Sequence, residues 1–515
     1  MAYFQKPFII ALIVFGLFLN LPGVAIAVPA TSQIPLDSWV YSALDRISAL
    51  GLVNSSLQGT RPYTRFEAAR QVEEALTTAE FQDVSPAIHT LLKKLERELG
   101  DTLTDLREDS SAGFLKVREV QLKYIYQDGD KSTIAGNGVA ASQHPLNYNN
   151  YGLNYQEQNA QLILQAEGRL GGFFLVDLRP LILFQNGEDN DTDVTLLDGR
   201  AVVQLGSFEI SVGRQSLWWG QGKHGSLVLT NNAKPLDMVR MTNSTPFLLP
   251  WFFKYLGPFR FDVFWSRLEK DRSVENPYFA GLRINTKPLP WIELGASRTV
   301  MFGGKGRPNV GWSDFITILG GKNLSGGEDT SNSIAALDAR LRLPFLWNAE
   351  VYGEYGGEDE AGHFIANTAW LAGLYLPKID PSGRLSLRLE QADLSQIDDN
   401  SPVWYQHGIY RSGYTYEGII MGHHAGGGAK DTSLEVEAIL SENLLLTVGF
   451  DYEERGFDQP VHEKYKEIST ALSWDFTENL SLDCSARYGK VDNFNFESND
   501  SENVSLVSVG LRGHW

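Results

Sequence analysis

Leu444-Leu445-Leu446-Thr447-Val448-Gly449-Phe450-Asp451-Tyr452-Glu453 carries a two-residue period. Leu444, Leu446, Val448, Phe450 and Tyr452 fall on one face, and Thr447, Gly449, Asp451 and Glu453 on the other. Successive side chains of an extended chain point to opposite sides, so the pattern reads as a strand with one apolar and one polar face. The same alternation recurs on either side of it. Phe259, Phe261, Val263 and Trp265 alternate with Arg260, Asp262 and Ser266. Leu480, Leu482, Cys484, Ala486 and Tyr488 alternate with Ser481, Asp483, Ser485 and Arg487. Val507, Val509, Leu511, Gly513 and Trp515 alternate with Ser508, Arg512 and His514. From about Gly113 onward this period replaces any helical one.

A soluble sandwich would alternate in the same way. Three features point to a membrane instead. Strand patterns run to about ten residues, the length a tilted strand needs to cross hydrocarbon. Aromatic residues recur near strand ends, as in the girdles of outer-membrane barrels. Trp515 ends the chain on an alternating strand, which resembles the signal read by the barrel assembly machinery, so that machinery and outer-membrane lipid are expected partners.

Link lengths test the same idea, because such barrels have short turns at one end and long loops at the other. Long links fall near 128–154, 186–198, 218–235, 269–276, 301–332, 357–364, 394–430, 455–464 and 490–502. Short ones fall between them, and only 246–258 is long for its class. The expected fold is mostly β: a transmembrane antiparallel barrel of about eighteen strands, with both ends in the periplasm and the long loops extracellular. Parity demands the return strand near 235–245 more than its periodicity shows. Arg384, Arg388 and Glu390, opposite Leu385, Leu387 and Leu389, read as lumen wall.

The barrel, 113–515, has a preface. Lys6, the apolar run 8–21 and Ala25-Ile26-Ala27 read as a signal peptide over 1–27. Its removal leaves 43 basic and 63 acidic residues, a net charge of −20 that argues against a nucleic-acid partner. Residues 28–112 read as a small periplasmic helical region. Asp37 would cap a first helix, Thr64-Arg65-Phe66-Glu67 is a capping box for a second, and Ser85-Pro86 opens a long third helix reaching Leu106. The segment 59–69 is similar to the helix–loop–helix of S-layer homology modules. A single cysteine, Cys484, excludes an internal disulfide and reads as a lipid-facing packing residue.

Two long links are rich in aromatics. One follows Gly213-Arg214-Gln215-Ser216-Leu217-Trp218-Trp219-Gly220, with Lys223 and His224 close behind. The other holds Trp404, Tyr405, Tyr410, Arg411, Tyr414 and Tyr416, then Gly422-His423-His424 and further glycines. Water-exposed loops carry such residues when these pack together or bind something. Pyranose C–H faces stack on Trp and Tyr, and Arg or Lys beside them pairs with uronate carboxylates. The candidate polysaccharide-binding residues are therefore Arg214, Trp218, Trp219, Lys223, His224, Trp404, Tyr405, Tyr410, Arg411, Tyr414, Tyr416 and His423. The competing reading is a plug of loops closing the barrel mouth.

The Trp-Trp-Gly stretch, the aromatic loop ending in Gly-His and glycines, and the helical preface together resemble the Wzi-type capsule assembly family of outer-membrane lectins. The resemblance implies an eighteen-strand barrel that binds capsular polysaccharide at the cell surface and assists capsule assembly. Catalysis is not expected. His423-His424 are adjacent and lack a spaced third ligand, so no metal or cofactor is expected either. No serine sits in a nucleophile elbow, the pairs Asp398-Asp399 and Glu453-Glu454 carry no glycosidase spacing, and no phosphate-binding loop is present. The rival function is a porin for saccharides or anions, its S-layer-homology-like preface anchored to the cell wall.

Overall fold

The computed structural model describes residues 28–108, 112–133, 142–187, 190–308, 331–358, 367–398 and 401–515. The expected signal peptide lies outside them. Eighteen antiparallel strands form a closed barrel. They are β1 Phe114–Asp128, β2 Gln158–Leu170, β3 Phe174–Asn186, β4 Asp191–Leu205, β5 Phe208–Gln215 and β6 Leu236–Asn243. Next come β7 Pro258–Arg267, β8 Tyr278–Leu289, β9 Ile292–Phe302, β10 Ser331–Leu343, β11 Ala349–Glu358 and β12 Thr368–Leu376. The last six are β13 Leu385–Asp393, β14 Ala429–Ser441, β15 Leu444–Arg455, β16 Glu463–Thr477, β17 Leu480–Asp492 and β18 Ser501–His514. Each pairs with its sequence neighbours, and β1 also pairs with β18, which leaves no open edge.

The return strand that parity demanded is β6, hydrogen-bonded to β5 and β7. The link expected over 186–198 is much shorter. Leu183 pairs with Asp193 and Ile182 with Val194, so the alternating residues after Asp191 extend β4 instead of a loop.

The apolar face of each strand forms the outer wall. On β18, Val509 is 46% exposed and its neighbour Ser508 only 4%. Leu387 and Leu389 share that outer side, while Arg388 and Glu390 are buried inside. Arg384 is exposed in the turn before β13 and does not line the lumen. Exposed Trp251, Phe252, Tyr255, Phe345 and Trp347 mark the short-turn end, where amphipathic rings suit a lipid–water boundary.

Inside, charges meet in pairs across neighbouring or next-but-one strands. Arg240 on β6 forks onto Asp262 on β7 at 2.7 and 2.6 Å. Arg283 on β8 does the same to Asp338 on β10 at 2.8 and 3.0 Å, and Arg340 reaches Glu350 on β11 at 2.7 Å. Ions without water are tolerated only when each is matched and hydrogen-bonded, so these pairs fix the register of the inner face.

Four helices, α1 Val40–Ala49, α2 Arg65–Ala79, α3 Pro86–Glu98 and α4 Gly100–Arg107, close the short-turn end. Their apolar faces share one cluster (Leu44, Ile47, Val72, Leu92 and Leu95) with Ile439 of the barrel. Arg46 donates to the Pro377 and Gly383 carbonyls at 3.0 Å, and Lys94 pairs with Asp475 at 3.0 Å. Thr64 caps α2 as expected, accepting from the Glu67 amide at 3.2 Å. Asp37 does not cap α1, since its carboxylate pairs with Arg179 at 3.2 Å and accepts from the Tyr151 hydroxyl at 2.9 Å. The long third helix is two helices, broken at Leu99-Gly100.

The segment between α1 and α2 enters the barrel. The Gln58 and Gly59 amides both donate to the Glu293 carboxylate at 2.8 Å, and Arg260 donates to the Thr60 and Pro62 carbonyls. The start of the stretch 59–69 thus forms part of a cork within the lumen.

Candidate functional site

The loop 216–235 leaves β5 and turns into the lumen instead of outward. Trp218 and Trp219 add a two-residue ladder to Thr60 and Arg61, and the Gly220 amide donates to the Gly59 carbonyl at 3.0 Å. Glycine is required at that join. Gly220 has φ +146°, and a Cβ there would stand 2.2 Å from the Glu354 carboxylate and from the Ser226 hydroxyl.

Wall carboxylates then hold the loop backbone. Glu354 accepts from the Gly222 and Leu227 amides at 2.9 Å, and Glu390 from the Lys223 and His224 amides at 2.7 Å. Arg340 donates to the Gln221 carbonyl and side-chain oxygen at 2.8 and 2.9 Å. Amides of an irregular loop, buried from water, find partners only because these wall residues are polar.

This geometry corrects the expectation that the tryptophans offer flat faces at the surface. Trp219 is 0% exposed, lies 5.3 Å from the Phe264 ring and donates its indole N–H to Asp262 at 3.3 Å. Trp218 is buried and donates to the Gly222 carbonyl at 3.0 Å. Lys223 points toward the helices, its Nζ donating to Ser42 at 3.0 Å. Burial, then Arg61, pulls the Lys223 ammonium below its ordinary pKa against the attraction of Asp45. Arg214 does not join them. It shares the outward side of Val212 and pairs with exposed Asp237 at 2.8 Å.

The second aromatic loop, 394–428, also folds inward. Trp404 donates to the Asn367 carbonyl at 2.9 Å, and Tyr405 stacks on Tyr414 at 5.6 Å. The Tyr405 hydroxyl donates to the Leu227 carbonyl and accepts from the His423 amide, both at 2.8 Å. Tyr414 hydrogen-bonds Thr299 at 2.8 Å, Tyr410 donates to Gly303 at 3.1 Å, and Tyr416 is buried beside them. Burial pushes the Tyr416 phenol up to about 12. A third loop joins from β1–β2, with Asn149 donating to the His224 carbonyl at 2.7 Å. Of the twelve candidates, Arg411 alone is largely open to water.

Three loops meet around Arg411. Arg272 donates to the Thr415 and Gly413 carbonyls at 2.9 and 3.0 Å, and the Ser273 amide to the Ser412 hydroxyl at 2.8 Å. The Lys305 amide donates to the Glu275 carbonyl at 2.9 Å. Lys270, Lys305 and Arg411 are therefore exposed on neighbouring loops at the long-loop end. Neither lysine was read as a candidate from the sequence, where both sit in unremarkable polar links.

A group of histidines and acids was also missed. His224 and His424 lie with Asp431 and Asp451 so that one ligand atom of each falls within 4.8 Å of all the others. Burial, then the His224 imidazole, holds His424 well below its ordinary pKa. Burial also pulls His224 down, but the surrounding carboxylates, Asp451 first, outweigh it and raise it to about 9. The sequence hid this third imidazole because His224 and His424 stand on different loops.

Fold and site together define a closed antiparallel barrel with an apolar outer wall, corked by helices at one end and by infolded aromatic loops at the other. The model of the capsule assembly protein Wzi family matches residues 132–506, and the chain belongs to that family. The structure is similar to that of Escherichia coli Wzi, described as an outer membrane protein involved in group 1 capsule assembly and a carbohydrate-binding β-barrel. The TM-score is 0.70 at 22% identity, covering 94% of this chain and 100% of that one. An uncharacterized 55.8 kDa protein in the cps region of Klebsiella pneumoniae is 30% identical over 170 residues. That match spans 32% of this chain and 33% of the relative's own length.

Proposed function

We propose that this protein is an outer-membrane lectin that retains capsular or related surface polysaccharide at its long-loop end, without making or breaking a bond. The filled lumen carries the reading. Two infolded loops and a helical cork occupy the space through which a porin would conduct, so the barrel serves as a platform. Membership of the Wzi family supports the same choice, as does the described carbohydrate binding of the Escherichia coli protein.

The buried aromatics act by shaping the platform, and the polymer meets its rim. Lys270 and Arg411 offer cations to acidic sugars beside partly exposed Ile409, and Lys305, paired with Glu275 at 2.7 Å, would exchange that exposed partner for a sugar carboxylate. Each contact is weak, and many along one polymer sum by multivalency. The test is binding of the purified protein to surface polysaccharide from the producing cells, against a Lys270→Ala, Lys305→Ala, Arg411→Ala variant. Binding should fall at least about tenfold, because the loss of even about 1.4 kcal/mol is tenfold in affinity. Equal binding by the two proteins would move the site elsewhere.

A further inference from the structure

The cluster between the loops and the wall has the makings of a metal centre. Asp431 lies on β14 and Asp451 on β15, both facing inward and nearly fully buried. His224 comes from the first infolded loop and His424 from the second. His224 Nε2 stands 3.3 Å from Asp451 and 3.5 Å from Asp431, and His424 Nε2 stands 3.5 Å from Asp431 and 3.2 Å from Glu453. His424 and Asp431 are each 2% exposed. Both nitrogens of His424, Nε2 of His224 and all four carboxylate oxygens of Asp431 and Asp451 make no well-formed hydrogen bond, their nearest approaches being the 3.2–3.5 Å contacts within the cluster.

Buried polar atoms are almost always satisfied, so this concentration of unsatisfied ones in one place needs a cause. Charge sharpens the point. Glu453 is matched by Arg455 at 2.5 Å and Glu467 by Arg487 at 2.7 Å. Among the described residues no Lys or Arg lies within ion-pair distance of Asp431 or Asp451, leaving these two buried carboxyl groups to imidazoles alone. The spacing fits a cation between them. Four ligands set tetrahedrally at about 2.0–2.2 Å from a zinc ion stand roughly 3.3–3.6 Å from one another, and the His224–Asp451, His224–Asp431 and His424–Asp431 separations of 3.3, 3.5 and 3.5 Å match that spacing.

We propose that His224, His424, Asp431 and Asp451 bind one divalent first-row transition cation, with zinc the best match to two imidazoles and two carboxylates. His423 lies outside this set. Its Nδ1 accepts from the Ala425 amide at 3.4 Å, which leaves Nε2–H facing Asp431 at 3.5 Å, where it orients the ligand. Tyr148, from the third loop, stacks on His424 at 4.1 Å and shields the ion from water. Close packing is enforced beside it, since a Cβ on Gly225 would sit 2.3 Å from the His423 ring. The ion joins two loops that the chain separates by 200 residues to two strands of the wall, so it staples the plug.

The full-length protein in detergent, stripped with EDTA and dialysed against zinc chloride, should retain about one zinc per chain by elemental analysis. Cobalt chloride should give the visible absorption of a nitrogen- and oxygen-ligated ion. His424→Gln and Asp451→Asn should each drop retention below roughly a tenth of an equivalent, while His89→Ala, at an exposed histidine, changes nothing. Folding of each variant is checked by the heat-dependent gel mobility of the intact barrel, and His224→Gln replaces any that fails. Wild-type protein retaining less than a tenth of an equivalent would overturn the proposal. So would folded variants that keep the wild-type stoichiometry.

Discussion

Replacing Trp219 by alanine separates a residue that builds the plug from one that touches polymer. The indole is 0% exposed, packs on Phe264 at 5.3 Å and fits so tightly that a Cβ on Gly281 would stand 2.9 Å from its ring. Truncating a fully buried tryptophan costs about 3–5 kcal/mol through lost transfer energy and the cavity left behind. The hydrogen bond adds little, because Asp262 keeps both bonds from Arg240. The barrel wall does not depend on this ring, so the loss falls on the seating of loop 216–235 against Thr60 and Arg61. A loss of about 4 kcal/mol raises the open population of that loop roughly a thousandfold. Limited proteolysis of the detergent-solubilised protein measures this, with heat-dependent gel mobility reporting the barrel. The expected result is an intact barrel cut rapidly within 216–235. Unchanged proteolysis together with lost polysaccharide binding would refute the structural role and make Trp219 a sugar contact.

Wild-type protein in planar bilayers should show almost no conductance, and large steady single-channel currents would restore the porin reading. Gly220→Ala should loosen the same plug, since φ +146° and a 2.2 Å approach to Glu354 leave no room for a methyl group; its proteolysis should resemble that of Trp219→Ala. Arg214→Ala should change neither stability nor binding measurably, because a partly exposed pair such as Arg214–Asp237, on the outward side of the wall, contributes at most about 1 kcal/mol. Thermal unfolding and polysaccharide binding check that prediction.

The barrel was legible because its two-residue period is set by local geometry, and an outer wall in lipid must be apolar at every second position. Strand count followed from parity even where β6 showed little pattern of its own. The extent of β4 was not legible, since Asp191 and Asp193 look like loop residues until Leu183 and Gln185 pair with them. The inward direction of the Trp-Trp stretch was not legible either. Whether a loop folds outward or inward depends on Glu354 and Glu390, more than a hundred residues away, accepting its amides. The histidine–aspartate cluster was hidden for the same reason. Its members come from two loops and two strands, and only closure of the barrel brings them together.

The most direct measurement of the account is the ratio of cell-bound to shed surface polysaccharide in cells lacking this chain. That ratio is compared with cells carrying the wild type or the Lys270→Ala, Lys305→Ala, Arg411→Ala variant at equal surface abundance. The account predicts that bound polysaccharide falls and shed polysaccharide rises in the deletion, with the variant close to the deletion and total synthesis unchanged. An unchanged ratio in the deletion would contradict retention as the function of the barrel.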